Sequence, residues 1–365
     1  MDFSISKDKL ADALQKVNSV VGSKAATPVL GNALVEAEDG KIVLTTTDLD
    51  IRIKTEVACE VSAKGRTTVA ARKLQEITRM LNQDTVRMTV DDGDRVSIEC
   101  GASKFKINGL PAADFPLPVE VPALRRFVAG QGDFARMLRL ISYAVTMDDT
   151  RKALNGLLIS LNENNLTTVA TDGRRLAVVE KLVDESTGSG GESILPVKSG
   201  LELLKLLGKE GKVAADIGEK MATFTFDDST IMTTKLVEDV YPNYKQVIPA
   251  SFARKVQLPR AGLTSSLLRV KSVVSERGYF VKLTFAADSL VLSGSSAEIG
   301  ESSDSIKIAY DGPETSLSLN PEFLLQPLKE LDSDDVTMRM NDGLNPVALT
   351  TEDGFLYVMM PMKNR

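Results

Sequence analysis

Apolar positions along this chain switch between a period of two and a period near 3.6, the signatures of half-buried strands and of amphipathic helices. Phe3 and Ile5 alternate with polar neighbours as a strand does. Leu10, Leu14, Val17 and Val21 then follow at steps of four, three and four, which places them on one face of a helix. The same pair of elements recurs twice. Phe134, Leu138, Ile141 and Val145 repeat those steps behind Phe127, and Leu263, Leu267, Val270 and Val274 repeat them behind Val256 and Leu258. Phe134 lies 124 residues beyond Leu10 and Leu263 lies 129 beyond Phe134, so each repeat has the length of an ordinary domain.

Each repeat also carries its plan twice. Behind the first helix come two strand-like runs, the second of them Lys41 to Thr47, Leu166 to Thr171 and Leu290 to Gly294. Glu38-Asp39-Gly40 supplies a tight hairpin turn, since glycine tolerates the positive backbone angles required there. A further strand then leads into a second helix: Thr67 to Val69 into Lys73 to Leu81, Ile194 and Leu195 into Gly200 to Leu207, Leu317 and Leu319 into Pro321 to Leu331, with Pro327 expected to bend the last. Leu110 to Pro116 and Leu236 to Pro242 close the first two repeats at an offset of 126. Linkers fall near Glu120 to Arg126 and Pro249 to Arg254, which predicts domains over 1–121, 122–250 and 251–365. The chain thus reads as an α+β protein of six half-units, each a strand, a helix and a short antiparallel meander. Alternating strands bury one face, so the helices are expected to layer against sheets, two per domain.

Composition narrows the chemistry. The 365 residues include no histidine, which removes the commonest general base, the Ser-His and Cys-His nucleophile pairs and the usual zinc and iron ligands. Cys59 and Cys100 are too few for a disulfide framework or a four-thiolate zinc site. No apolar run approaches the roughly 18 residues of a membrane span, and the N-terminal residues lack the pattern of a secretory signal, so the cytoplasm is the expected compartment. A formal charge of -6 argues against a simple basic nucleic-acid binder, and a DNA partner would require segregated charge.

Three motifs read as structure rather than chemistry. Asp91-Asp92-Gly93-Asp94 lacks the alternating ligands and closing glutamate of a calcium loop and fits a hairpin turn. Gly208 to Lys212 follows a helix and lacks the lysine-serine/threonine ending of a phosphate loop, so it reads as a helix stop. Asp148-Asp149 has no companion site and reads as an exposed loop. The basic residues on the helices carry more weight: Lys9, Lys16, Arg72, Arg79, Arg136, Arg139, Lys198, Lys205 and Arg269 all lie in or beside helices whose apolar faces are committed to the sheets. If those polar faces shared one axis, that axis would be positive in an otherwise acidic molecule.

The most specific motif is Thr171-Asp172-Gly173-Arg174-Arg175-Leu176-Ala177, together with Tyr357-Val358-Met359-Met360-Pro361-Met362-Lys363 at the end of the chain. With Leu30-Gly31-Asn32, Leu154-Asn155-Gly156, Leu110 to Pro116 and Tyr241-Pro242-Asn243-Tyr244, the sequence resembles the bacterial DNA polymerase III beta subunit family of sliding clamps over its whole length. The resemblance implies three repeated clamp domains, each of two β-α-β-β-β half-units, with helices lining a central channel, antiparallel sheets outside, and two subunits joined head to tail in a homodimeric ring. It implies a processivity factor rather than an enzyme, with no cofactor, no metal and no catalytic residue. The implied partners are duplex DNA held without sequence preference, the DNA polymerase III catalytic subunit, a clamp loader and other proteins of replication and repair that carry a clamp-binding motif.

Residue by residue, the resemblance implies a partner-peptide groove of Leu154, Thr171, Gly173, Arg175, Leu176, Pro242, Val247, Leu344, Pro346, Val358, Met360, Pro361 and Met362. An apolar floor with flexible methionines suits varied side chains. It implies DNA contacts at Lys24, Arg72, Lys152 and Lys198, with Met147 and Asp148 in the same loop as Lys152, and a subunit interface of Phe105 and Ile107 against Val273 and Val274. Arg174 stands where the family often has histidine, Gln246 where it has arginine and Met359 where it has a smaller aliphatic, while Lys363-Asn364-Arg365 replaces a shorter end; these bear on which peptides bind. Two other classes remain open to sequence: a repeat scaffold that binds only proteins, and a histidine-free hydrolase built on carboxylates and a metal, which would need acidic residues converging in one cleft.

Overall fold

The computed structural model describes residues 1–22, 27–148, 150–274, 280–343 and 345–362. Its helices among those residues are α1 (Lys7–Val17), α2 (Ala71–Met80), α3 (Gln131–Ser142), α4 (Val197–Leu206), α5 (Arg260–Lys271) and α6 (Pro321–Glu330), two to each sequence repeat. Each follows a strand: Asp2–Ser6, Gly65–Ala70, Arg125–Gly130, Gly191–Pro196, Arg254–Pro259 and Thr315–Leu319. All recorded strand pairings are antiparallel.

Helix ends depart from the periodicity in a consistent way. Val21, Val145 and Val274 were expected on the faces of α1, α3 and α5, yet the α-helices stop at Val17, Ser142 and Lys271. The chain then tightens. Val21 N–H donates to Asn18 O (3.2 Å), Ala144 N–H to Ile141 O (2.9 Å) and Val274 N–H to Lys271 O (3.0 Å), bonds of the i to i+3 type that satisfy carbonyls left over at a helix end. Val21 and Val145 remain buried despite lying outside the helix. At the other end, α2 and α4 begin earlier than the apolar spacing suggests, at Ala71 and Val197, because polar residues fill most of the first turn. In α6 the Asn320 side chain caps the Glu322 N–H (2.9 Å), Pro321 takes the first position, and the helix continues through buried Pro327.

Three sequence repeats make two compact units. The first comprises Met1–Phe134, Val183–Gly190 and Lys198–Leu236. It is built on one sheet of 14 strands, continuous because Ile51–Ala58 of the first repeat pairs with Ile231–Lys235 of the second, Ile53 opposite Met232. A buried contact between the Thr55 and Thr230 hydroxyls (3.1 Å) crosses that junction. Leu10, Leu14 and Val17 of α1 are fully buried, and α1 packs on Ile51–Ala58 and on α2.

The second unit comprises Ala135–Leu182, Gly191–Val197 and Val237–Arg365. Its eight-stranded sheet is continuous because Arg175–Leu182 of the second repeat pairs with Phe355–Met359 of the third, Leu176 opposite Val358. A separate four-stranded sheet runs Gly300–Lys307, Ser289–Ser296, Val281–Ala286, Thr315–Leu319, with α5 across it. The second repeat is therefore shared between units: strand pairing across repeat junctions outweighs chain proximity.

Candidate partner groove and basic helix faces

The turn between Asn165–Thr171 and Arg175–Leu182 is fixed by its own side chains. Thr171 Oγ1 accepts the Gly173 N–H (3.1 Å) and donates to Arg175 O (2.6 Å), while Asp172 Oδ1 accepts the N–H groups of Arg174 (2.8 Å) and Arg175 (3.1 Å). Gly173 adopts φ +88°, where a side chain would strain the backbone. Arg151 braces the turn from outside, donating through Nη1 to Asp172 O (3.0 Å) and through Nη2 to Thr146 Oγ1 (2.7 Å).

Arg175 is buried although charged, and its donors are satisfied on every side. Nε meets Asp172 Oδ2 (3.1 Å), Nη2 donates to Tyr143 O (2.5 Å) and Nη1 to the Gln326 carbonyl. Its guanidinium lies over the Phe323 ring at 4.4 Å and the Tyr143 ring at 5.9 Å. Burial pushes the Tyr143 and Tyr357 phenols above their ordinary values. Arg175 thus ties the turn to α6 as a rigid buttress.

Beside this buttress a small open cleft of about 50 Å³ is lined by Thr171, Gly173, Arg174, Arg175, Leu176, Val247, Val358, Met359 and Met360. Leu176 and Val358 form a buried floor; Val247 and Met360 stand exposed at the rim. Met360 N–H donates to Arg174 O (3.1 Å), extending the sheet along the cleft. Of the expected groove residues, Thr171, Gly173, Arg175, Leu176, Val247, Val358 and Met360 come together here. Leu154 packs beneath them, against the cluster that holds Leu176, Tyr241, Tyr244 and Val358. Pro242 is exposed, Pro346 and Pro361 are half-buried and Met362 is exposed, and none of the four lines the cleft. Leu344 lies outside the described residues. Of the positions that depart from the family pattern, Arg174 and Met359 line it, Gln246 does not, and 363–365 lie outside the described residues.

The expected DNA contacts divide. Lys24 lies outside the described residues. Arg72 is exposed and donates through Nη2 to Val21 O (2.6 Å). Lys152 is exposed at the start of a short 3-10 turn, Lys152–Asn155. Lys198 is ion-paired with Asp48. In the preceding loop, Met147 is exposed and Asp148 accepts the Thr150 N–H (3.1 Å) and pairs with Arg151 (3.2 Å).

Most of the helix cations are engaged within the chain. Lys16 pairs with Asp228, Arg136 with Asp353, Arg139 with Glu330 (3.3 Å), Lys205 with Glu202 (2.7 Å) and Arg269 with Asp304 (2.5 Å). Only Lys9 and Arg79 among the nine helix cations lack a partner among the described residues. Their partners come from different places: turns between strands bring Asp48, Asp228 and Asp353 from distant sequence, Asp304 lies on a strand, Glu330 ends a helix and Glu202 stands on the same helix as Lys205.

Phe105 and Ile107 are half-buried on Ser103–Leu110. Ser103 to Asn108 of that strand pair with Arg95–Cys100, but on its other side only Gly109 and Leu110 are paired, so Ser103 to Asn108 leaves an open edge. Val273 and Val274 are half-buried just past α5. Val274 sits so close over Gly294 that a Cβ there would fall 2.6 Å from it. Nearby, Gly300–Lys307 is an edge strand of the four-stranded sheet; its serine-rich sequence gave no apolar alternation to reveal it.

Among the described residues no group of three or more acidic or cysteine side chains could hold a metal, and no helix is long and apolar enough to cross a membrane. Asp91 caps its own hairpin, accepting N–H bonds from Gly93 (2.9 Å) and Arg95 (3.1 Å).

Family models of the DNA polymerase III beta subunit match the chain in order: the N-terminal domain over residues 1–119, the central domain over 130–243 and the C-terminal domain over 245–363. The chain is 31% identical over 368 residues to the beta sliding clamp of Pseudomonas putida and 29% over 367 residues to that of Escherichia coli K12, covering 100% of both partners in each comparison. A crystal structure of a sliding clamp (DNA polymerase III subunit beta) from Pseudomonas aeruginosa bound to griselimycin superposes with a TM-score of 0.96 at 29% identity, over 100% of both chains. Matched from end to end in sequence and in fold, the chain belongs to the DNA polymerase III beta subunit family of sliding clamps.

Proposed function

We propose that two copies of this chain close head to tail into a ring around duplex DNA and tether replication enzymes through the cleft beside the Thr171–Arg175 turn. The three domains, 1–121, 122–250 and 251–365, then supply helices to a channel and sheets to its outside. The open edge at Ser103 to Asn108, with Phe105 and Ile107, meets the region of Val273, Val274 and Gly300–Lys307 in the second copy, and twofold symmetry makes both junctions alike. Lys24, Arg72, Lys152 and Lys198 touch phosphates without reading sequence. Processivity here is topological. A closed ring stays on DNA without tight binding, which fits an acidic chain whose helix cations are mostly engaged internally.

The partners are the DNA polymerase III catalytic subunit, a clamp loader and other replication and repair proteins that present a short apolar peptide. The clamp itself catalyses nothing and works in the cytoplasm. The cleft is the observation that carries this reading: a buried apolar floor of Leu176 and Val358, a rim of Val247 and Met360, and a rigid turn behind them. A polymerase-derived clamp-binding peptide, titrated by fluorescence polarisation, should bind the wild type and lose at least tenfold in affinity on Val247→Asp. Equal binding by both would move the site elsewhere.

A further inference from the structure

We propose that Asp48 and Asp228 are positioning residues of the DNA-facing surface: each holds a helix lysine in an internal ion pair, so that a DNA phosphate must compete with a carboxylate for the ammonium. The inference rests on the reading above that Lys198 contacts DNA, and extends it to Lys16. Two constructions of the same design carry it. Asp48 Oδ1 accepts the N–H groups of Asp50 (3.0 Å) and Ile51 (2.7 Å), leaving Oδ2 for Lys198 Nζ on α4. Asp228 Oδ1 accepts the Thr230 N–H (3.1 Å), leaving Oδ2 for Lys16 Nζ on α1.

The exchange is reciprocal across the strand pair that joins the first two repeats. Asp48 precedes Ile51–Ala58 in the first repeat and reaches a helix of the second; Asp228 precedes Ile231–Lys235 in the second and reaches a helix of the first. In the Asp48 pair the two ends differ in exposure. Its carboxylate is 18% exposed and pinned by backbone, whereas the Lys198 side chain is 60% exposed on a flexible stem and can swing to a phosphate without undoing the turn. Lys152, by contrast, is exposed with no carboxylate partner among the described residues. The chain therefore carries free and restrained cations, and the restrained ones give the weak, exchangeable contacts that movement along DNA requires.

Asp48→Asn and Asp228→Asn test this, because asparagine keeps the Oδ1 acceptor that the turn needs while removing the charge. Duplex binding would be measured across a salt series with the assembled protein, and thermal melting would confirm folding. Each substitution should tighten binding by about 1.5- to 5-fold, the range of an exposed ion pair, and steepen the log-log salt slope by about 0.9 per freed lysine. Asp48→Asn combined with Lys198→Ala should fall back to Lys198→Ala alone. If Lys198→Ala weakens binding but neither aspartate substitution tightens it, the pairs only fasten the sheet and the proposal is wrong. If Lys198→Ala has no effect, the assignment of Lys198 to DNA fails first and takes the proposal with it. Should Asp48→Asn not fold, Asp228→Asn decides alone, since its side chain is 50% exposed.

Discussion

Leu49 and Gly173 hold the same place in two copies of one turn, and both have positive φ, +77° and +88°. In the first repeat Thr47 Oγ1 accepts the Leu49 N–H (3.0 Å) and donates to Ile51 O (2.9 Å), as Thr171 does for Gly173 and Arg175. Asp48 and Asp172 cap the two turns alike. The first copy tolerates the strain of a leucine there; the second, beside the cleft, uses glycine.

Gly173→Ala isolates the backbone cost, because a Cβ at Gly173 would meet nothing closer than Arg151 Nη1 at 3.7 Å. Urea unfolding should show a loss of about 1–2 kcal/mol. A loss near zero would mean that the turn relaxes to another conformation.

Removal of the chain beyond Met359 deletes the Met360 rim and its N–H bond to Arg174 O. Peptide affinity should drop by more than about tenfold, the scale of a hot-spot side chain, with the mass of the assembly unchanged. Undiminished binding would place recognition on the Val247 side of the cleft alone.

Ile107→Asp puts a charge on the open edge at Ser103 to Asn108, where it would be buried unpaired in a subunit junction. Light scattering should report the 39.4 kDa mass of one chain in place of twice that value. A variant that keeps the doubled mass would remove this edge from the interface.

Acid stability follows from the same aspartates that restrain the lysines. Burial, the largest influence on Asp48, raises its carboxyl, but Lys198 and the N–H groups of Ile51 and Asp50 outweigh it and hold the group below its ordinary 3.8; Asp228 is lowered likewise against burial by Lys16 and Thr230. A depressed carboxyl contributes stability that is complete above the unfolded value and lost as pH falls through the folded one. Wild-type stability should therefore fall more steeply than that of Asp48→Asn from about pH 5 downward. Parallel curves in urea unfolding at several pH values would contradict the pairing.

Much of this fold was legible because burial imposes period on sequence: Leu10, Leu14 and Val17 face the core of α1, as their spacing required. Asp48 and Asp172 stand 124 residues apart in the chain, but the hydrogen bonds that cap both turns alike are seen only in the structure. Long-range pairing was not. Nothing in Ile51–Ala58 or Ile231–Lys235 marks them as partners, so the division into two units could not be read from the chain. Nor could the neutralisation of Lys16 by Asp228, 212 residues away, because spacing shows which face a charge occupies but not what a distant turn brings to it. In the groove, residues on the Thr171–Leu176 turn and on Phe355–Met359 converge, while the flanking prolines do not.

The most direct test is retention on DNA of defined topology. Protein loaded onto a nicked circle should stay bound through a high-salt wash and be lost when a restriction enzyme linearises the circle. Equal retention on circular and linear DNA, or equal loss from both, would contradict encirclement.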